Sequence, residues 1–141
     1  MLAKKLMTGA DSKFTHTSCV PKNSEAISHF PDEDKINKIL MQHNNIRASV
    51  HTAADLVTLN WDFSLARIAQ RKADTCVFSH DCEKCRVPLN NRTVYVGQNA
   101  YTSSGYSELI WTDVINLWAS GEASFTYGGP QGGKLIYLDH F

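Results

Sequence analysis

Apolar positions recur at helical spacing in three stretches of the chain and alternate in a fourth. Asp32, Glu33 and Asp34 follow Pro31, so Asp32 caps a helix whose acids sit near the positive end of its dipole. Ile36, Ile39, Leu40, His43, Arg47 and Val50 then share one face to about residue 51. Asp62 caps a second helix with Leu65, Ile68, Ala69, Ala73 and Cys76 on its stripe, predicted to end near Val77. In a third, Ile110, Val114, Leu117 and Trp118 form the inner stripe, and Glu122 follows one turn later on that side. Thr93-Val94-Tyr95-Val96, running on to Tyr101, is β-branched and aromatic and reads as a strand. On its pleat Val94, Val96, Gln98 and Ala100 share a face opposite Tyr95, Asn99 and Tyr101.

Between these elements the chain is polar or Gly-rich. Residues 1–31 show no period and read as an irregular arm, pinned to the body only if Cys19 finds a partner. Residues 32–141 read as one domain. In the loop at 52–60, Leu56 and Leu59 are expected to turn inward. After the loop at 128–133 the run Lys134–Phe141 begins a second strand-like stretch. The fold class is α/β, with three helices and one full strand. A single strand leaves its backbone donors and acceptors unpaired, so the sheet is expected to be completed by residues outside this sequence. The 141-residue chain alone is therefore predicted to be unstable or prone to aggregate through that edge. A soluble monomer with a cooperative unfolding transition would contradict this.

Composition narrows the function classes. Fourteen basic and fourteen acidic residues cancel, so no global field attracts nucleic acid or an anionic membrane. No apolar stretch approaches the ~20 residues that cross a bilayer, and the first residues lack the apolar run of a signal peptide.

The candidate chemistry concentrates between Thr75 and Tyr101. Cys76, His80, Cys82 and Cys85 lie there, with Cys19 the distant fourth cysteine. Four cysteines admit three full pairings. Two disulfides, one tying the arm to this loop, are expected in an extracellular chain. The alternative is a small intracellular zinc module on Cys76, His80, Cys82 and Cys85, although its spacing is cramped for a two-pair site. Asn91-Arg92-Thr93 is a glycosylation sequon. His80, Glu122 and His140 stand in separate segments. If the fold brought them together, two imidazoles and a carboxylate would make an open divalent-metal site. His43, Asn44 and Arg47 interrupt an apolar stripe and read as a hydrogen-bonded structural cluster, while His16, His29 and His51 read as surface residues. There is no G-x-S-x-G elbow, phosphate loop or kinase signature.

Several of these pieces occur in a familiar order. His43-Asn44-x-x-Arg47 is followed by Leu59-Asn-Trp61-Asp-x-x-Leu65-Ala66, Cys76-x-Phe78-Ser-His80 and Val96-Gly-Gln-Asn99. Trp118-Ala-Ser-Gly-Glu122 and Asp139-His140-Phe141 come last. From about residue 33 onward the chain resembles the CAP (SCP/TAPS) superfamily, nearest its venom-allergen, antigen-five branch. That resemblance implies an α-β-α sandwich, with a central cavity at positions His80, Gln98, Glu122 and His140. It marks Trp61 and Asn99, with the His43 cluster, as structural.

The resemblance also implies a secreted, extracellular protein that acts by binding lipids or sterols, small amines or a partner protein. A weakly held zinc or other divalent cation is the one cofactor it suggests, through His80, His140 and Glu122. Position 98 departs from the family's acidic pattern: an amide is no general base and brings no charge to a cation. A hydrolase using a zinc-bound water is the alternative, and Gln98 counts against it.

Overall fold

In the computed structural model, residues 16–50, 56–89, 95–104 and 110–120 are described. They form three α-helices, α1 (Glu33–Ser49), α2 (Phe63–Ala73) and α3 (Trp111–Ala119), with 3-10 turns at Thr17–Cys19 and Glu83–Cys85.

Local chemistry starts the first two helices. Asp32 accepts the Lys35 amide at 2.9 Å through Oδ1, and Asp62 Oδ1 accepts those of Ser64 and Leu65 at 2.6 and 3.0 Å. Each cap satisfies amides that have no partner inside the helix, a contribution of about 1 kcal/mol. The Lys35–Asp32 ion pair, 3.7 Å apart and largely exposed, adds little.

On α1 the inner face is the predicted one, with Ile39, His43 and Arg47 buried and Ile36, Leu40 and Val50 half-buried. α1 packs on α3, where Gln42 Nε2 donates to Asn116 Oδ1 at 2.6 Å. The other two stripes differ from expectation. On α3 the buried pair is Val114 and Ile115, half-buried Trp111 and Trp118 flank it, and Ile110 and Leu117 face outward. Its inner face is thus 111/114/115/118, which satisfies the same helical period with a different rotation.

α2 stops at Ala73, well before the predicted Val77. The chain turns through Thr75 and Cys76, whose amides donate to Lys72 and Ala73 carbonyls. Cys76 has φ 55°, a left-handed conformation that ends a helix and costs a non-glycine residue about 1 kcal/mol or more. Cys76 therefore leaves the α2 stripe and is exposed, as are Ala69 and Ala73, while Ile68 is the buried apolar residue of the helix.

The expected strand is not formed among the described residues: Tyr95–Tyr101 carries no sheet pairing, there being no second strand among them to supply it. Thr93, Val94 and the run Lys134–Phe141 lie outside the described residues. The three helices are consistent with part of an α/β domain.

The N-terminal arm is pinned, and hydrogen bonds do it. The turn at Thr17–Cys19 packs on α2, and Asn23 donates its amide to the Asp74 carbonyl at 2.8 Å. Thr17 is 2% exposed, and its hydroxyl donates to Asp81 Oδ2 at 2.6 Å. His16, expected at the surface, is half-buried. Its Nδ1 accepts the Ser18 amide at 3.1 Å, which makes Nε2 the protonated nitrogen that donates to the Val87 carbonyl at 2.7 Å.

Asp74 is the arm's second anchor. It is 6% exposed and takes hydrogen bonds from Gln70 at 2.8 Å and Ser28 at 2.9 Å. The Gln70 bond, helped by Ser28 and by the charges of Lys22 and Arg71, holds this carboxyl below its ordinary value of 3.8 against the opposing effect of burial. A depressed acid pKa contributes stability that is complete above the ordinary value and lost as pH falls through the folded one. The expected outcome is a steepening loss of stability below about pH 4 that is missing in Asp74→Asn, read by chemical denaturation across pH.

Candidate functional site

Two polar clusters position the segment that sequence reading singled out. The first is on α1. His43 Nδ1 donates to the Ile39 carbonyl at 2.8 Å, one turn back. Asn44 and Leu59 exchange a reciprocal pair: the side-chain amide donates to the Leu59 carbonyl at 3.2 Å and its oxygen accepts the Leu59 amide at 2.8 Å. Arg47 Nη2 donates to the Val57 carbonyl at 3.0 Å. Polar residues on the inner face of α1 thus satisfy backbone groups of residues 57–59, half-burying Leu56 and Leu59 ahead of α2.

Burial lowers the His43 pKa from its ordinary 6.5, the Ile39 carbonyl opposes this, and the Arg47 charge lowers it further. The neutral ring is the folded form. Its stability contribution is complete above pH 6.5 and is lost as pH falls from there through the lower folded pKa. We expect denaturation midpoints to fall on acidification through this window, and His43→Leu to remove that part of the slope.

The second cluster surrounds the loop after α2. Arg86 Nε donates to the Val96 carbonyl at 2.6 Å, and Nη1 lies 3.1 Å from the Asp81 carbonyl and 3.4 Å from Gln98 Oε1. The same Gln98 oxygen accepts the Asp81 amide at 2.8 Å. Asp81 also pairs with Lys72 at 3.5 Å, whose ammonium donates to Ser79 at 2.9 Å. The loop is therefore clamped from three sides: by α2 through Lys72, by the arm through Thr17, and by residues 96–98 through Arg86 and Gln98.

Gln98 is half-buried and spends its carbonyl oxygen on this clamp. His80 precedes the clamped Asp81 amide; its imidazole is exposed and hydrogen-bonds no described residue. Glu122, His140 and the sequon Asn91 lie outside the described residues. Among those described, no three His, Cys, Asp or Glu side chains converge into a metal site. Trp61 and Asn99 are half-buried, and the Trp61 indole nitrogen and Asn99 amide nitrogen are buried without a hydrogen-bond partner among the described residues.

Cys82 and Cys85 are bonded to each other, with Cα atoms 5.1 Å apart. With Cys82 and Cys85 joined, neither offers the thiolate that zinc needs, which counts against the module on Cys76, His80, Cys82 and Cys85. Cys76 is an exposed thiol. The expected bridge from arm to loop is not made through Cys76, and the hydrogen bonds of Thr17, His16 and Asn23 make that connection instead.

Residue type alone does not mark Asp74, Asp81 and Arg86 as the anchors that they are. The available signal was their placement: Asp81 and Arg86 bracket the C-x-x-C, and Asp74 closes α2.

A three-helix unit with this ordered motif set defines a class. The chain belongs to the cysteine-rich secretory protein (CAP) family, whose model matches residues 40–141. It is 34% identical over 125 residues to a cysteine-rich venom protein of Conus marmoreus, covering 84% of this chain and 42% of that protein. It is also 34% identical over 127 residues to venom allergen 5 of Tityus serrulatus, covering 79% and 30% respectively. Allurin of Xenopus tropicalis is 31% identical over 107 residues, covering 74% and 52%. The chain thus spans about half or less of the length of these relatives. No solved structure matches it. No helix among the described residues is long and apolar enough to cross a membrane.

Proposed function

We propose that this is an extracellular CAP-domain protein that acts by binding a small apolar or amine ligand and catalyses no hydrolysis. The observation that carries this reading is Gln98. Its amide oxygen is engaged by the Asp81 amide and Arg86, so position 98 supplies neither a carboxylate ligand nor a general base. Val77 and Phe78, 60% and 66% exposed, offer apolar surface three and two residues before His80 in the chain. The disulfide, the sequon at Asn91 and the venom proteins among the relatives support an extracellular setting.

A divalent cation such as zinc would be held by His80, Glu122 and His140. Imidazole nitrogens and a carboxylate oxygen suit that ion, and the exposed His80 ring is available to it. Such an ion supplies Lewis acidity when bound. The chain's own contribution is to fix the His80–Asp81 peptide through Gln98, leaving the imidazole accessible.

The test uses full-length protein secreted from eukaryotic cells, its mass measured with and without reduction and alkylation. Saturable binding of a fluorescent fatty acid or sterol, weakened by Phe78→Asp, is expected, with a glycan on Asn91. Ester or peptide hydrolysis by the wild type that is lost in His80→Ala would overturn the reading. So would capture of a protein partner with no small-ligand binding.

A further inference from the structure

We propose that the Cys82–Cys85 disulfide is a redox latch on the loop that carries His80. This goes beyond the binding reading and does not depend on it.

The disulfide closes a loop of sequence separation 3 around a single 3-10 turn. So short a loop restrains little of the unfolded chain, and its effect is local. What it fixes is the turn that orients the next residue. The Cys85 amide donates to the Cys82 carbonyl at 2.9 Å. Directly after it, Arg86 reaches back to the Asp81 carbonyl and across to Val96 and Gln98. With the disulfide open, one turn hydrogen bond remains, and an isolated 3-10 turn is marginal on its own. Arg86 then loses the geometry that lets one guanidinium serve three acceptors, and the Asp81 amide loses the neighbour that steadies Gln98. The Asp81 amide is then held by Gln98 alone, with the Asp81 carboxylate still on Thr17 and Lys72, and the His80–Asp81 peptide opens more often.

The two sulfurs differ in access. Cys82 is half-buried and Cys85 is 7% exposed. An external thiolate attacks Cys82 Sγ, the Cys82–Cys85 bond breaks, and Cys85 leaves as a thiolate that takes a proton from water. The second thiol of the external dithiol then displaces Cys82. The products are the protein dithiol and the external disulfide, with two electrons transferred. The oxidised external dithiol reverses the exchange.

The test reduces full-length protein stepwise with dithiothreitol, assigns the newly alkylated cysteines by mass, and follows amide hydrogen exchange. Alkylation of Cys82 and Cys85 is expected to coincide with at least about tenfold faster exchange at the Asp81 and Cys85 amides, and with no change in the α1 amides. In Gln98→Leu the Asp81 amide should exchange fast in both redox states, removing its redox dependence. Unchanged Asp81 exchange after reduction would overturn the latch. Acceleration of α1 to the same degree would make the disulfide a global staple, and a bond reducible only in denaturant an inert one; either result also overturns the proposal.

Discussion

Replacing Ile115 by alanine in the full-length protein is expected to destabilise it by about 3–4 kcal/mol, within the range for emptying a well-packed isoleucine site. Ile115 is 2% exposed and next to Val114 at 3%, on the α3 face where α1 packs. The removed carbons leave a hole that two helices can close only by moving. Leu117→Ala supplies the contrast. Leu117 is 57% exposed, so its truncation should stay within about 0.5 kcal/mol. Paired urea or thermal unfolding of the two variants reads the difference. Equal losses would mean that α3 buries the stripe through Ile110 and Leu117 after all.

Arg86→Ala is expected to cost about 2–4 kcal/mol, because it removes a charged donor and strands part-buried acceptors. The Val96 carbonyl, the Asp81 carbonyl and Gln98 Oε1 all lose a hydrogen bond at once. Arg86→Lys should recover only part of this, since an ammonium cannot present the guanidinium's fork to acceptors on both sides. Unfolding midpoints for the pair provide the check. Near-equal stability of Arg86→Ala and wild type would show that the clamp around residue 98 rests on other contacts.

The parts of this fold legible in the sequence are those governed by neighbours. Asp32 and Asp62 cap within three residues, and the α1 face follows from its spacing because Ile39, His43 and Arg47 are one turn apart. α3 has apolar residues on more than one side, so Ile110 and Leu117 fit the helical period as well as Trp111 and Ile115 do. Periodicity fixes the repeat and leaves the rotation to the partner helix. The early end of α2 depends on the backbone angle of Cys76, which residue type does not reveal. Most hidden was the role of Gln98. Its side chain faces a loop seventeen residues earlier, and only the fold brings the Asp81 amide to it. The family resemblance implies one cavity lined by His80, Gln98, Glu122 and His140; what the structure shows is the Gln98 oxygen on the Asp81 amide.

The arm's attachment has a consequence for how the protein is made. His16 waits for a carbonyl 71 residues downstream, and Thr17 for a carboxylate 64 residues away. At about 5–20 residues per second of synthesis, those intervals run from roughly 3 to 14 seconds. Once both ends are out of the ribosome, loop closure itself is over in well under a millisecond. Throughout the wait His16 and Thr17 are without these partners, and the N-terminal arm stays accessible until the Asp81 loop can cover it.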